Sequence, residues 1–272
     1  MSVTPHFPGS VVTDTVTALR AAGCVFAEDE AAVLVAAAAD RSALDTMVRR
    51  RSGGEPLELV VGYADFCGVR VRLRPGVFVP RVRSELLVRL GVAAARASPG
   101  AVVIDLCCGS GALGMAVAAQ APHSVLYAAD RDPIAVACAR DNLGSRVFQG
   151  DLYAALPTGL RGRVDVLLAN VPYVATTHLA LLPAEAREHE PRAALDGGPD
   201  GLDVFRRVAV GAPRWLAPGG VVMSEVTELQ ADAAVAALQE AGLSADVGSD
   251  EDLEATVVIG RRQGVPLTGA LR

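Results

Sequence analysis

The feature that most constrains this chain is a short apolar run, AVVIDLCC (101–108), that ends in glycines and opens directly into an apolar helix at 112–120. Such a run is too short for a core helix and reads as a strand buried on both faces. The same alternation then repeats. VLYAAD (125–130) is a second strand and 133–143 a second helix; RVFQGD (146–151) and VDVLLAN (164–170) are the third and fourth strands. GGVVMSEV (219–226) follows the loop Ala217-Pro218-Gly219, and TVVIGR (256–261) is the last strand of the pattern. Strand and helix in turn give an α/β fold, a mostly parallel sheet with helices on both faces. In such sheets ligands bind beyond the carboxyl ends of the strands, at the switch point beside the first strand.

The residues before this unit read differently. Segments 11–22, 28–39 and 42–51 carry apolar residues at helical spacing, with Gly23 and Gly53-Gly54 as stops and Asp40 with Ser42 as an N-cap region. FCGVRVRLRPGVFV (66–79) alternates with a period of two around Pro75-Gly76, the pattern of a hairpin. A helix over 84–97 follows, then the break Ser98-Pro99-Gly100. Hydrophobic residues make up 51% of the chain but aromatics only 4%, so the core is built from Ala, Val and Leu.

All 25 basic residues are arginine, set against 31 acids for a net charge of −6. Residues 1–100 hold 12 Arg and 10 acids, leaving 13 Arg and 21 acids for 101–272. An acidic chain without a basic stripe is a poor nucleic-acid binder. No apolar stretch is long enough to span a membrane, and MSVTPHFPGS lacks the pattern of a signal peptide. Cys24, Cys67, Cys107, Cys108 and Cys138 form no CxxC pair, so neither a zinc site nor a disulfide framework is expected. His6, His123, His178 and His189 are scattered, with no metal-ligand spacing. The expectation is a cytoplasmic protein with reduced thiols and no metal.

The loop Asp105-Leu106-Cys107-Cys108-Gly109-Ser110-Gly111-Ala112-Leu113-Gly114 allows two readings. Glycines let a backbone approach a ligand closely, and the helix beyond offers unpaired N–H groups. Residues 109–114 spell GxGxxG, and Asp130 closes the second strand, an arrangement that suits the ribose of a dinucleotide. The acid Asp105 ahead of the loop, in the spacing DxCxGxG, suits equally the nucleoside pocket of S-adenosylmethionine methyltransferases. A glycine turn with no ligand remains a third reading.

The fourth strand runs into Asn170-Val171-Pro172-Tyr173. In an arbitrary protein this is a strand end and a proline turn. Here it falls where a transferred group should sit. Asn170 offers an acceptor oxygen, Val171 a carbonyl that Pro172 keeps out of a sheet ladder, and Tyr173 a flat face. Those groups suit a planar NH₂ nucleophile, whose lone pair is delocalised. Two acceptors taking its hydrogens turn that lone pair towards an incoming methyl, so the site works by positioning and electrostatics rather than by a strong base.

Across roughly residues 50–262 the sequence resembles the HemK/PrmC family of protein-(glutamine-N5) methyltransferases, which methylate the glutamine of the Gly-Gly-Gln motif in bacterial release factors. The resemblance rests on GEPLELVVGYADFCG (54–68), FVPRVRSELLV (78–88), DLCCGSGALG (105–114), NVPY (170–173), EPRAALDGGPDGLDVFRRV (190–208) and LAPGGVVMSEVTELQ (216–230). It implies a small helical domain (1–64), a β-hairpin linker (65–83) and a seven-stranded Rossmann-like methyltransferase domain (84–272). It implies S-adenosylmethionine as cofactor, with S-adenosylhomocysteine as product. Cofactor contacts would come from Asp105, Cys107, Cys108, Gly109, Ser110, Gly111, Asp130, Asp151, Leu152 and Asn170. Glutamine contacts would come from Asn170, Val171, Pro172 and Tyr173, with a release factor as protein partner and no stable nucleic-acid or membrane binding.

The sequence departs from that family in four places. Cys107 replaces the usual first glycine of the loop, which argues against a left-handed backbone there. Val171 replaces the first proline of NPPY, implying a looser backbone, and Arg83 stands where Glu is usual. The helical region is short. Together these departures point to a divergent branch with a different protein substrate. Two alternatives stay open: an adenine-N6 methyltransferase acting on nucleic acid, since NPPY-like motifs serve that amine too, and a methyltransferase-like binding protein that has lost activity through Cys107. Smaller features are expected to be unremarkable surface: Arg49-Arg50-Arg51 a solvated helix end, and Glu185, Glu188 and Glu190 a charged face or the frame of a peptide entrance. The DGGPDG stretch (196–201) is expected to be a loop folding over the site.

Overall fold

The computed structural model describes residues 7–264; His6 and most of the segment read for a signal peptide lie outside them. The chain begins with four helices, α1 (Gly9–Ala21), α2 (Ala27–Ala37), α3 (Arg41–Ser52) and the short α4 (Leu57–Val61). They pack Leu19, Leu34, Leu44 and Val60 into a small core of their own. The Asp40 side chain caps α3 by accepting from the Ala43 N–H at 2.8 Å, and Gly53-Gly54 end it.

A hairpin follows, β1 (Tyr63–Phe66) and β2 (Val69–Arg72). Its turn is not at Pro75-Gly76 but at Cys67-Gly68, both with positive φ (46° and 81°), the backbone a two-residue hairpin turn demands. The alternation of 66–79 was a true strand signal, but the proline-glycine pair belongs to the segment leading out of the hairpin.

The remaining elements are α5 (Glu85–Arg96), β3 (Val102–Leu106), α6 (Ala112–Gln120), β4 (Val125–Asp130), α7 (Pro133–Leu143), β5 (Val147–Gln149), β6 (Val164–Leu168), α8 (Ala184–His189), α9 (Asp203–Trp215), β7 (Leu216–Val226), α10 (Ala231–Glu240), β8 (Ser244–Asp250) and β9 (Ala255–Arg261). Seven strands form one sheet in the order β5-β4-β3-β6-β7-β9-β8. All neighbours from β5 to β7 are parallel, and β9 runs antiparallel to both β7 and β8. The order reverses at β3, which pairs with β4 on one side and β6 on the other.

Two cores sandwich the sheet. One gathers α5, α6 and the hairpin around Leu87, Val103, Val117 and Leu168. The other gathers α9 and α10 around Ile104, Leu167, Phe205 and Leu238. Successive residues of β3 alternate between these cores and are all but fully buried from Val103 to Leu106, which is why the run contains no polar face. The helix after β4 starts on Asp132, which accepts from the Ile134 N–H at 2.6 Å, with Pro133 in the first turn.

Candidate active site

A cleft of about 910 Å³ opens over the carboxyl ends of β3, β4 and β6, the switch point of the sheet. Its floor is the glycine loop. Gly111 is left-handed (φ 80°), and a Cβ there would stand 2.6 Å from Leu143 Cδ1, so only glycine lets α6 start so close to α7. Gly109 is left-handed too, but a Cβ there would meet nothing, because the cleft lies beside it. Asp130 closes the loop from β4. Its Oδ2 accepts from the Gly109 N–H and its Oδ1 from the Asp132 N–H, each at 2.9 Å. Burial pushes its carboxyl above the ordinary range, while those N–H donors pull it back.

Cys107, Cys108, Gly109, Ser110, Asp130, Asp151, Leu152 and Asn170 through Tyr173 all line the cleft. Asp105 does not. It is fully buried beneath the loop, its Oδ2 accepting from the Gly114 N–H at 2.8 Å and its Oδ1 without a partner. Desolvation, helped by the nearby Asp130 charge, pushes its carboxyl up to about 7. Asp151 is exposed and paired with Arg207.

Cys107 corrects an expectation. It adopts the left-handed conformation (φ 59°) that a cysteine there argues against. An L-residue there costs about 1–2 kcal/mol. Both vicinal cysteines are free thiols. Burial pushes Cys107 up to about 12 and Cys108 well above its usual value, so neither has thiolate character.

Val171 corrects another. Its side chain is buried in the core (2% exposed), and its N–H donates to the Ala169 carbonyl at 2.9 Å, a bond a proline at that position could not make. The turn is therefore held rather than loosened. Among the described residues no hydrogen bond ends on the Val171 carbonyl or on Asn170 Oδ1. Two neighbouring residues at the end of β6 thus each keep an unspent acceptor.

Tyr173 is fastened at both ends. Its hydroxyl donates to Glu225 Oε1 at 2.6 Å, and its carbonyl accepts from Gln230 Nε2 at 2.8 Å. Burial and the Glu225 charge push its phenol well above the usual range. The DGGPDG stretch is not a loose flap. Val174 bridges to Asp196, the Gly197 N–H donates to the Val174 carbonyl at 2.8 Å, and Gln230 Nε2 also reaches the Asp200 carbonyl at 2.9 Å.

Sequence reasoning missed part of the wall. Phe78 lines the cleft, with Arg81 stacked 5.0 Å from its ring centroid. Arg81 pairs at 2.7 Å with Glu190, whose other oxygen accepts from the Val79 N–H at 3.1 Å. Ser84 and Glu225, both buried, stand behind Asn170 and Tyr173. The signal for these was the length of the FVPR and GGVVMSEV segments, not any chemical pattern in them.

Of the arginine run, Arg49 is exposed, as a solvated helix end would be, but Arg50 and Arg51 are structural. Arg50 pairs with Glu55 and reaches the Leu59 and Val60 carbonyls; Arg51 pairs with Glu30 at 2.6 Å and with Glu185, on the cleft wall, at 3.4 Å. The three acids of 185–190 thus have separate fates: Glu190 is buried, Glu185 is held by Arg51 and Glu188 is exposed beside Arg187. No cluster of metal-ligating side chains occurs among the described residues, and no described helix is long and apolar enough to cross a membrane.

Residues 69–189 match the methyltransferase small domain family. The chain is 39% identical to the release factor glutamine methyltransferase of Geobacter sulfurreducens, over 72% of this chain and 69% of the relative. It is 40% identical to that of Streptomyces coelicolor, over 68% of this chain and 67% of the relative. A 4-amino-L-phenylalanine/4-methylamino-L-phenylalanine methyltransferase of Streptomyces pristinaespiralis is 38% identical over 65% of this chain and 63% of its own length.

Proposed function

The chain belongs to the release factor glutamine methyltransferase family, and from that footing we propose that it methylates the side-chain amide nitrogen of the glutamine in the Gly-Gly-Gln motif of a peptide-chain release factor, in the cytoplasm. One observation carries the reading: Asn170 and Val171, adjacent residues lining a cleft floored by a glycine loop, each keep an acceptor, Asn170 Oδ1 and the Val171 carbonyl, that no hydrogen bond among the described residues uses.

The residues present fit S-adenosylmethionine. Gly109 leaves room for close approach, and Asp130 keeps a free lone pair on each oxygen beyond its two backbone bonds, which suits ribose hydroxyls. Cys107, Cys108 and Ser110 would cradle the methionine part, with Gly111 holding the turn beneath them through its N–H to the Cys108 carbonyl and Leu152 an apolar neighbour for the base. The cleft has the volume for a nucleoside joined to an amino acid and for an incoming side chain. Bound there, the cofactor would supply a methyl group made electrophilic by a sulfonium.

The chain itself does the positioning. Asn170 and Val171 accept the two amide hydrogens and so fix the amide plane, leaving the nitrogen lone pair, normal to that plane, directed towards the cofactor side; it leaves conjugation with the carbonyl as the new N–C bond forms and the sulfonium's C–S bond breaks. Tyr173 lies against the amide plane, Pro172 holds the turn, and Phe78 faces the chain of the glutamine from across the cleft. No group needs to remove a proton first, because the nitrogen becomes acidic as it is methylated. Buried, preorganised acceptors act with little reorganisation, which is where most of the rate enhancement would come from.

A methyl-transfer assay offering release factor, DNA, RNA and free 4-amino-L-phenylalanine side by side tests this directly. Label should enter the release factor alone. Label in nucleic acid would instead support adenine methylation, and label in the free amino acid an arylamine substrate; either outcome without label in the release factor sinks the reading.

A further inference from the structure

We propose that Glu225 and Ser84 are positioning residues that decide which end of the Asn170 amide faces the cleft; this deepens the reading above and rests on it. An asparagine presents an oxygen and an NH₂ group of nearly equal shape, so its direction is set by what its neighbours accept or donate. Only the oxygen can take a hydrogen from a substrate amide. A flipped Asn170 would point its own hydrogens at those of the glutamine.

The hydroxyl of Ser84 settles the direction. It carries one proton and lies 2.6 Å from Glu225 Oε2. A carboxylate only accepts, so the proton goes there. What Ser84 Oγ can offer Asn170, 3.2 Å away, is a lone pair. Nδ2 must therefore face Ser84, and Oδ1 is left for the cleft.

The other oxygen of Glu225 takes the Tyr173 hydroxyl at 2.6 Å. One carboxylate, 2% exposed, thus sets both the acceptor and the ring. Burying a carboxylate is costly unless strong hydrogen bonds compensate. Here two hydroxyl donors do so; of the arginines that line the cleft nearby, Arg81 is paired with Glu190 instead, and among the described residues no hydrogen bond from Arg83 reaches Glu225. The three parts come from the turn before α5, the end of β6 and the end of β7, so the relay exists only when those elements are assembled.

Two measurements test it, the first without cofactor or substrate. In ¹⁵N-labelled protein, one of the two Asn170 side-chain amide protons, assigned by their loss in Asn170→Asp, should exchange slowly with solvent. Ser84→Ala should remove that protection and Ser84→Thr should keep it. Free exchange of both protons in the wild type, or protection that survives Ser84→Ala, overturns the proposal.

The second is turnover on a glutamine substrate. Ser84→Ala should lower kcat on the order of tenfold, the scale of one net hydrogen bond, with S-adenosylmethionine affinity unchanged, a lower melting temperature because the buried Glu225 loses one of its two donors, and rescue of both by Ser84→Thr. Glu225→Gln should lose more, because a glutamine side chain has one acceptor for two donors. Wild-type kcat in Ser84→Ala overturns the proposal. A wild type that transfers no methyl to glutamine, yet shows the Ser84-dependent protection, sinks the substrate reading and leaves the relay standing.

Discussion

Residues at this site divide into those whose chemistry shows in their identity and those whose role comes from burial. Asn170 and Tyr173 belong to the first kind: an amide and a ring beside a proline at a strand end announce a polar, planar ligand. Asp105 belongs to the second. Its position before the loop suggested a ligand contact, but it lies fully buried, tying the Gly114 N–H from below. Its carboxyl is pushed up to about 7 from an ordinary 3.8. Between those values the folded protein holds a proton that the unfolded chain has released, so stability falls as pH rises through that window and levels off above it. Asp105→Asn keeps an acceptor for Gly114 and removes the titration. Wild-type melting temperature should therefore fall relative to the variant as pH rises from about 4 to about 7; parallel curves would show that Asp105 is not the titrating group.

Elements were legible where a pattern repeats and obscure where tertiary contacts decide. The buried run 101–108 and the helix 112–120 are plain because a two-faced strand has no polar positions. The edge strand β8, SADVGSD, is not, since it is mostly exposed and carries no apolar face of its own. The hairpin was seen but its turn was misplaced, because Pro75-Gly76 is the stronger local signal while Cys67-Gly68 carries the positive φ. The DGGPDG strap could be read only as a loop, because its order depends on Gln230, a side chain some thirty residues later. Gly201 is where that latch closes. With φ 81°, a Cβ there would stand 2.2 Å from the Tyr173 carbonyl oxygen and 2.3 Å from Gln230 Nε2. Gly201→Ala should destabilise the fold by about 2–4 kcal/mol and speed hydrogen exchange in the strap. Wild-type values from denaturant unfolding and exchange would refute a latched strap.

At the scale of the molecule, the sheet places three strand ends around one cleft, and everything upstream braces it. The helices before the hairpin are tied to the cleft wall through Arg51 and Glu185, and the 78–81 segment is tied to the same wall through Glu190. Ring-poor composition leaves few aromatics, and Phe78 and Tyr173 both line the cleft. Fold class and the transfer motif could be read from local sequence because both are written in contiguous runs. The Glu225–Ser84 support could not, since its members are far apart in the chain and chemically ordinary.

The central claim is that the amide held at the end of β6 belongs to a glutamine in a protein. Mass spectrometry of a release factor incubated with S-adenosylmethionine and this protein, with Asn170→Ala as the control, tests it most directly. The account predicts a single methyl on the side chain of the Gly-Gly-Gln glutamine, absent with Asn170→Ala although that variant still binds S-adenosylmethionine. An unmodified glutamine with the wild type, or the same methylation with the variant, would contradict it.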